Sequence, residues 1–469
     1  MKVFNTLTRK KEELVPVRPG EIRMYSCGPT VYNFFHMGNA RPFIIFDTLR
    51  RYLEYRGYRV TFVQNFTDID DKVIKRANEE GTTYDKIAAR YIEEYFVDAK
   101  GLGIRPASVH PKATDNIDAI LTTVETLEKK GFAYAVDGDV YFRTRKFEGY
   151  GKLSHQPLEE LEAGVRIDVN EKKEDPLDFA LWKSAKPGEP SWESPWGHGR
   201  PGWHIECSAM ANRYLGETID IHSGGVDLCF PHHENEIAQS EASSGKPFAR
   251  YWMHNAFLTI DNQKMSKSTG NFFMVRDAAK VYGYQPIRFF MLSAHYRSPL
   301  NFSSESLEQA KAALLRLHTA FQNLEFLQKS AESRESNAEE RAFLDGFAAY
   351  RDRFCEAMDD DLNTADAVSV IFELVRGLNT EFIGKAASKA AADASLRFLS
   401  ELCDVLGLLP EKSADSIDSE IEALIEARSA ARKAKNFKEA DRIRDELKAR
   451  GILLEDTPQG VKWSYSKNT

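Results

Sequence analysis

The sequence lacks any apolar run approaching the ~20 residues that a membrane-spanning helix needs. The stretch Met1 to Lys11 has no apolar signal core, so a cytoplasmic protein with no membrane partner is expected. Neither a G-x-x-x-x-G-K phosphate loop nor a G-x-G-x-x-G fingerprint occurs, so nucleotide binding must use another device. Cysteines are few: Cys27, Cys207, Cys229, Cys355 and Cys403 are odd in number and irregularly spaced. That excludes a disulfide framework and leaves thiols available as metal ligands. Excess positive charge is also missing. A net charge of −8 argues against a uniformly basic nucleic-acid binder, though not against a local basic face. What is present is a globular composition, 42% hydrophobic and 29% charged, over 469 residues, enough for several domains.

The stretch Tyr25 to Arg41 reads as a strand ending at Gly28-Pro29-Thr30, an aromatic loop, and a helix start at His36-Met37-Gly38-Asn39. A helix start offers unpaired N–H groups and the positive end of its dipole, which suits an anion. Beyond it a helix over Ile44 to Tyr55, a buried strand from Arg59 to Asn65 and a helix from Asp70 stopped by Gly81 predict a doubly wound parallel sheet. The run Asn65-Phe66-Thr67-Asp68-Ile69-Asp70-Asp71-Lys72 follows that strand, where such sheets bind ligands, although helix capping by Asp68 or Asp70 explains it equally well. Strand character is expected again at Trp203 to Cys207, and at Ile219 to Asp227, where a glycine turn closes on an acid. Between them a hairpin turning at Asp137-Gly138 and a Pro/Gly/Trp-rich tract suggest an insertion.

Three segments offer metal donors: Cys27, Cys207 and Pro231-His232-His233-Glu234-Asn235-Glu236. His232 and Glu236, at i and i+4, share a helix face. The pattern is not H-E-x-x-H, which weighs against a metalloprotease. From about residue 305 the pattern is helical. Between Arg428 and Arg450 nine basic residues face four acids, an excess of five on a chain of net −8, which is either a solvated face or a phosphate-binding footprint.

His36-Met37-Gly38-Asn39 and the distant Lys264-Met265-Ser266-Lys267-Ser268 resemble the HIGH and KMSKS signatures of class I aminoacyl-tRNA synthetases, and their surroundings resemble the cysteinyl-tRNA synthetases over essentially the whole chain. Asn39 replaces the second histidine of the first signature and cannot become cationic. The resemblance implies a Rossmann-like catalytic domain (1–111 and 201–304, the second half with the KMSKS loop) split by a connective peptide (112–200). A helical bundle (305–410) and a small anticodon-binding unit (411–469) follow. It implies a ligase that activates L-cysteine with ATP and transfers it to tRNA-Cys, acting as a monomer. Catalysis would fall to His36, Asn39, Lys264 and Lys267, and ATP binding to His36, Gly38, Asn39, Gly225, Asp227 and Lys267. Thr67, Asp68, Trp203 and His254 would line the amino acid pocket. One Zn²⁺ would be held by Cys27, Cys207, His232 and Glu236, Mg²⁺ would accompany ATP, and no editing domain is expected. Two other readings share parts of this pattern: the cysteine ligase of mycothiol synthesis, and a non-catalytic zinc-containing RNA-binding relative.

Overall fold

A computed structural model of the chain describes residues 1–156, 172–260, 263–264, 273–383, 385, 387–410, 415–450, 452–457 and 460–465; of these, the side chains of 260, 263–264, 415–422, 455–457 and 460–465 are not described. The chain forms two compact units, Met1–Ala310 with Glu356–Ala365, and Lys311–Cys355 with Asp366–Thr469.

The first unit is built on four parallel strands, β1 (Glu21–Ser26), β2 (Arg59–Gln64), β3 (Ile219–Gly225) and β4 (Ala249–Asn255), in the order β4-β3-β1-β2. Every residue of β3 is buried, as parallel strands covered on both faces require. The chain leaves β1 toward β2 and returns on the other side to form β3. The carboxyl ends of β1 and β3 therefore flank the crevice where doubly wound sheets hold ligands.

Helix α1 (Met37–Tyr55) joins β1 to β2, and begins seven residues before the Ile44 start read from the sequence because His36 caps it. Helix α2 (Asp71–Glu80) follows the expected limits: the Asp70 carboxylate accepts from the Lys72 N–H at 2.9 Å, and Gly81 closes it in the left-handed region at φ 62°. Residues Trp203 to Cys207 are not a strand as expected. They begin helix α3 (Trp203–Leu215), whose buried run Ile205 to Ala211 carries no amphipathic stripe to betray helical period. Helix α4 (Glu234–Ser244) is buried through most of its length in the same way.

The region between α2 and α3 contains a four-stranded antiparallel sheet, including a hairpin of Ala133–Val136 and Asp139–Phe142 turned by Asp137 (φ 49°) and Gly138 (φ 84°). Its core of Ile120, Phe142, Leu181 and Trp182 is continuous with Ile205 and Ala209 of α3, so this region is packed onto that helix.

A buried ion cluster fastens α1. Asp47 accepts from Arg51 at 2.9 Å and Arg288 at 2.7 Å, and also from the Arg105 N–H at 2.9 Å. Truncating one member strands buried charge, a loss of ~3–5 kcal/mol. Asp47→Ala should therefore lower the thermal unfolding midpoint by several degrees at least, and an unchanged Tm would show that the cluster holds nothing.

The second unit is helical. Asn337 and Glu340 form a reciprocal capping box at Ala338–Asp345, and Lys389–Leu406 is capped by Ser388. Near the C-terminus, Asp415–Lys433 and Phe437–Ala449 are followed by the hairpin Ile452–Thr457 and Gly460–Tyr465, with Ile443, Leu447 and Ile452 in its small core. Among the described residues no helix is long and apolar enough to cross a membrane.

Candidate active site and metal centre

The loops leaving β1 and β2 are locked to each other. Val31 donates to the Thr67 carbonyl at 3.1 Å and Thr67 to the Pro29 carbonyl at 3.2 Å. Gly28 makes the approach possible, since a Cβ there would lie 1.6 Å from the Asn65 carbonyl oxygen. The segment then pairs with the chain after the lysine signature, through Met37 N–H to Phe273 O at 3.0 Å and Val275 N–H to Phe35 O at 3.2 Å. His36 sits between, its Nδ1 accepting from the Asn39 N–H at 3.3 Å. His36, Asn39, Thr30, Tyr32, Lys72 and Met274 line one cleft.

Deeper in the crevice, Cys27 immediately follows β1, Cys207 lies on α3, His232 on the turn Cys229–His233 leading into α4, and Glu236 in the first turn of α4. All four are buried, and their donor atoms lie within 4.8 Å of one another. The Cys27 Sγ is 3.7 Å from the Cys207 Sγ and 3.2 Å from Glu236 Oε1, which is 3.0 Å from His232 Nε2. A tetrahedral ion with bonds of about 2.0–2.3 Å sets donor–donor edges of roughly 3.3–3.8 Å. The set has that scale, and it has the two thiols, imidazole and carboxylate that a borderline-soft cation takes.

A second grouping, Cys27, His222, His233 and Glu236, meets the same distance limit and was not expected from the sequence. Its histidines are already engaged. His222 Nε2 is 2.8 Å from Glu236 Oε2, and His233 Nδ1 is 2.8 Å from His254 Nε2, while His254 Nδ1 is 2.8 Å from the Thr6 hydroxyl. These contacts orient ligands from behind. The His232-His233 doublet was the one sequence signal for this layer.

The electrostatics suit a cation. The hydrogen bond from Cys27 pulls the Cys207 thiol down to about 6 despite burial, whereas burial pushes Cys27 well up. Burial opposes the charge on both Glu236 and His232. Even so, His222 and His232 bring the Glu236 carboxyl down to about 2, and Glu236 raises His232 to about 10. His233 is held neutral, first by burial and then by the histidines around it.

The remaining expected residues divide. The Trp203 ring stacks on His232 with centroids 4.5 Å apart, and His254 reaches the cluster through His233, so both are brought to the metal set. The Thr67 hydroxyl donates to Glu206 Oε2 at 2.9 Å. Asp68 faces Thr114, accepting from its N–H at 3.0 Å and from its hydroxyl. Gly225 ends β3 with Asp227 folded close over it, where a Cβ would meet Asp227 Oδ1 at 2.4 Å. Lys264 pairs through its backbone with Thr259; its side chain is not described, and Lys267 lies outside the described residues.

Three family models match the chain: the tRNA synthetases class I (C) catalytic domain over residues 13–312, the DALR domain over 353–410, and the cysteinyl-tRNA ligase anticodon binding domain over 414–463. Among solved structures, the fold is similar to the LeuRS–tRNA–LeuAMS complex from Agrobacterium radiobacter K84 at TM-score 0.60 and 13% identity, covering 84% of this chain and 85% of that one. It is also similar to Mycobacterium tuberculosis methionyl-tRNA synthetase with methionyl-adenylate at TM-score 0.58 and 18% identity, covering 83% and 90%. By the family model matched over residues 13–312, the parallel sheet with its two locked loops and capping histidine is the catalytic domain of a class I aminoacyl-tRNA synthetase. Proteins named cysteine–tRNA ligase from Clostridioides difficile strain 630 and Symbiobacterium thermophilum are 59% and 60% identical to this chain over 463 and 467 residues, each match covering 99% of both sequences. The chain belongs to the cysteine–tRNA ligase family, and its reaction is the ATP-dependent attachment of cysteine to tRNA.

Proposed function

We propose that Cys27, Cys207, His232 and Glu236 hold one Zn²⁺ that selects the cysteine thiol, and that His36, Asn39, Lys264 and Lys267 stabilise the charge that develops on ATP. The donor geometry of the buried four is the observation that carries the first part. Cysteine and serine are near-isosteres, which a plain pocket separates only about 10 to 200-fold. Bound in this set, zinc would supply a Lewis acid that prefers a thiolate to a hydroxyl. Trp203 closes the His232 side, and Thr67, Asp68 and His254 shape the remainder of the pocket.

The cysteine carboxylate attacks the α-phosphate and pyrophosphate leaves; the terminal ribose hydroxyl of tRNA-Cys then attacks the carbonyl of the adenylate and AMP leaves. His36, the Gly38 N–H and the Asn39 side-chain amide at the start of α1 meet the phosphates on one side, with Lys264 and Lys267 on the other, while Gly225 and Asp227 receive the nucleoside. Mg²⁺ accompanies the triphosphate. In the last helices Arg442, Arg444 and Arg450 are paired along the helix with acids, whereas Lys433, Lys435, Lys438 and Lys448 are exposed and form no ion pair among the described residues, which offers them to tRNA phosphates. The enzyme works as a monomer in the cytoplasm.

The test is charging of a tRNA-Cys transcript with labelled cysteine beside a serine control, before and after zinc removal. Charging with cysteine alone, lost with the metal and restored by zinc, is the expected result. Equal activity in the metal-free protein would remove zinc from the selection.

A further inference from the structure

Lys72 lines the same cleft as His36 and Asn39 but belongs to no part of the machinery assigned above. It lies in the first turn of α2 and is exposed, with its ammonium 5.7 Å from the Tyr32 ring centroid. Each neighbouring carboxylate is turned elsewhere. Asp68 accepts from Thr114, Asp70 caps the Lys72 N–H, and Asp71 is bound by Arg200 and by Lys183 at 3.1 Å. Among the described residues no carboxylate forms an ion pair with Lys72.

The position is also fixed. The Thr30 and Thr67 loops are hydrogen-bonded to each other, and Asp71 ties the start of α2 to the inserted sheet through Lys183 and Arg200. An exposed cation with no ion pair among the described residues thus lines the same cleft as His36 and Asn39, on a helix whose start is anchored to the inserted sheet. Among the described residues its partner is the Tyr32 ring face at 5.7 Å, a weaker attraction than a phosphate oxyanion would offer.

We infer that Lys72 binds a phosphate oxyanion of a substrate during the reaction, as a cation additional to those of the two signatures. This rests on the synthetase chemistry proposed above. Two substrates carry such a group: the triphosphate of ATP, and the last phosphodiester at the tRNA 3′ end. Proteins with Lys72→Gln and Lys72→Arg, with their metal content and Tm compared with the parent, distinguish them. One arm measures cysteine-dependent pyrophosphate exchange against ATP concentration. The other measures single-turnover transfer from preformed cysteinyl-adenylate to tRNA-Cys.

The expected result is a loss of about tenfold or more in at least one arm for Lys72→Gln, with Lys72→Arg within threefold of the parent and Tm unchanged. Loss confined to exchange assigns the triphosphate, and loss confined to transfer assigns the phosphodiester. Both arms within twofold of the parent, or an arginine variant as impaired as the glutamine one, overturns the inference. Parent enzyme that charges no tRNA at all would instead refute the proposed function.

Discussion

Replacing Cys207 by serine is expected to strip the protein of its metal and to lower cysteine charging by roughly 10²-fold or more, since even residues that only support a ligand cost 10–100-fold when lost. The two candidate donor groups share Cys27 and Glu236, so variants at those positions cannot tell them apart. Cys207 belongs to one group alone and His233 to the other. Cys207 is also the thiol already drawn toward its charged form, at about 6, by the Cys27 hydrogen bond. Serine at this position retains the size but not the soft donor. Metal analysis after gel filtration, beside pyrophosphate exchange, checks the outcome. Full metal content in Cys207→Ser together with metal loss in His233→Asn would move the ion to the second group.

The second large effect is on catalysis. Lys267→Ala should reduce the rate of cysteinyl-adenylate formation by about 10²–10³-fold, because a donor aimed at developing transition-state charge is worth about 2.7–4 kcal/mol. The loss belongs in the maximal exchange rate more than in cysteine affinity, because the charge it meets appears only as the phosphate bond breaks. Pyrophosphate exchange at saturating cysteine measures it directly. A change under threefold would sink the assignment of Lys267, whatever its effect on tRNA transfer.

Local signals account for what the sequence made readable. Helix α2 was legible to within a residue at its start because a carboxylate cap at Asp70 and a left-handed glycine at Gly81 mark its ends independently of tertiary structure. The candidate donors Cys27, Cys207, His232 and Glu236 were legible as a set only through their resemblance to a family pattern; the structure brings their donor atoms within 4.8 Å of one another. Helix α3 was misread at its start. Trp203-His204-Ile205-Glu206-Cys207 alternates in polarity as a strand does, and burial on nearly all sides removes the polar face that would have corrected the reading. His222 and His233 escaped because their role depends on β3 lying beside α4, a juxtaposition that no spacing along the chain encodes.

The lysine signature is tethered at both ends. At its start, Gln263 and Lys264 are paired with Ile260 and Thr259; after it, Phe273 and Val275 are hydrogen-bonded to the chain around His36. The described chain on either side of the lysine signature is thus anchored, on one side in a short antiparallel pair and on the other against the loop that enters α1. The second anchor is the histidine signature itself, so the same backbone that starts α1 also sets where the chain re-emerges after the lysine signature.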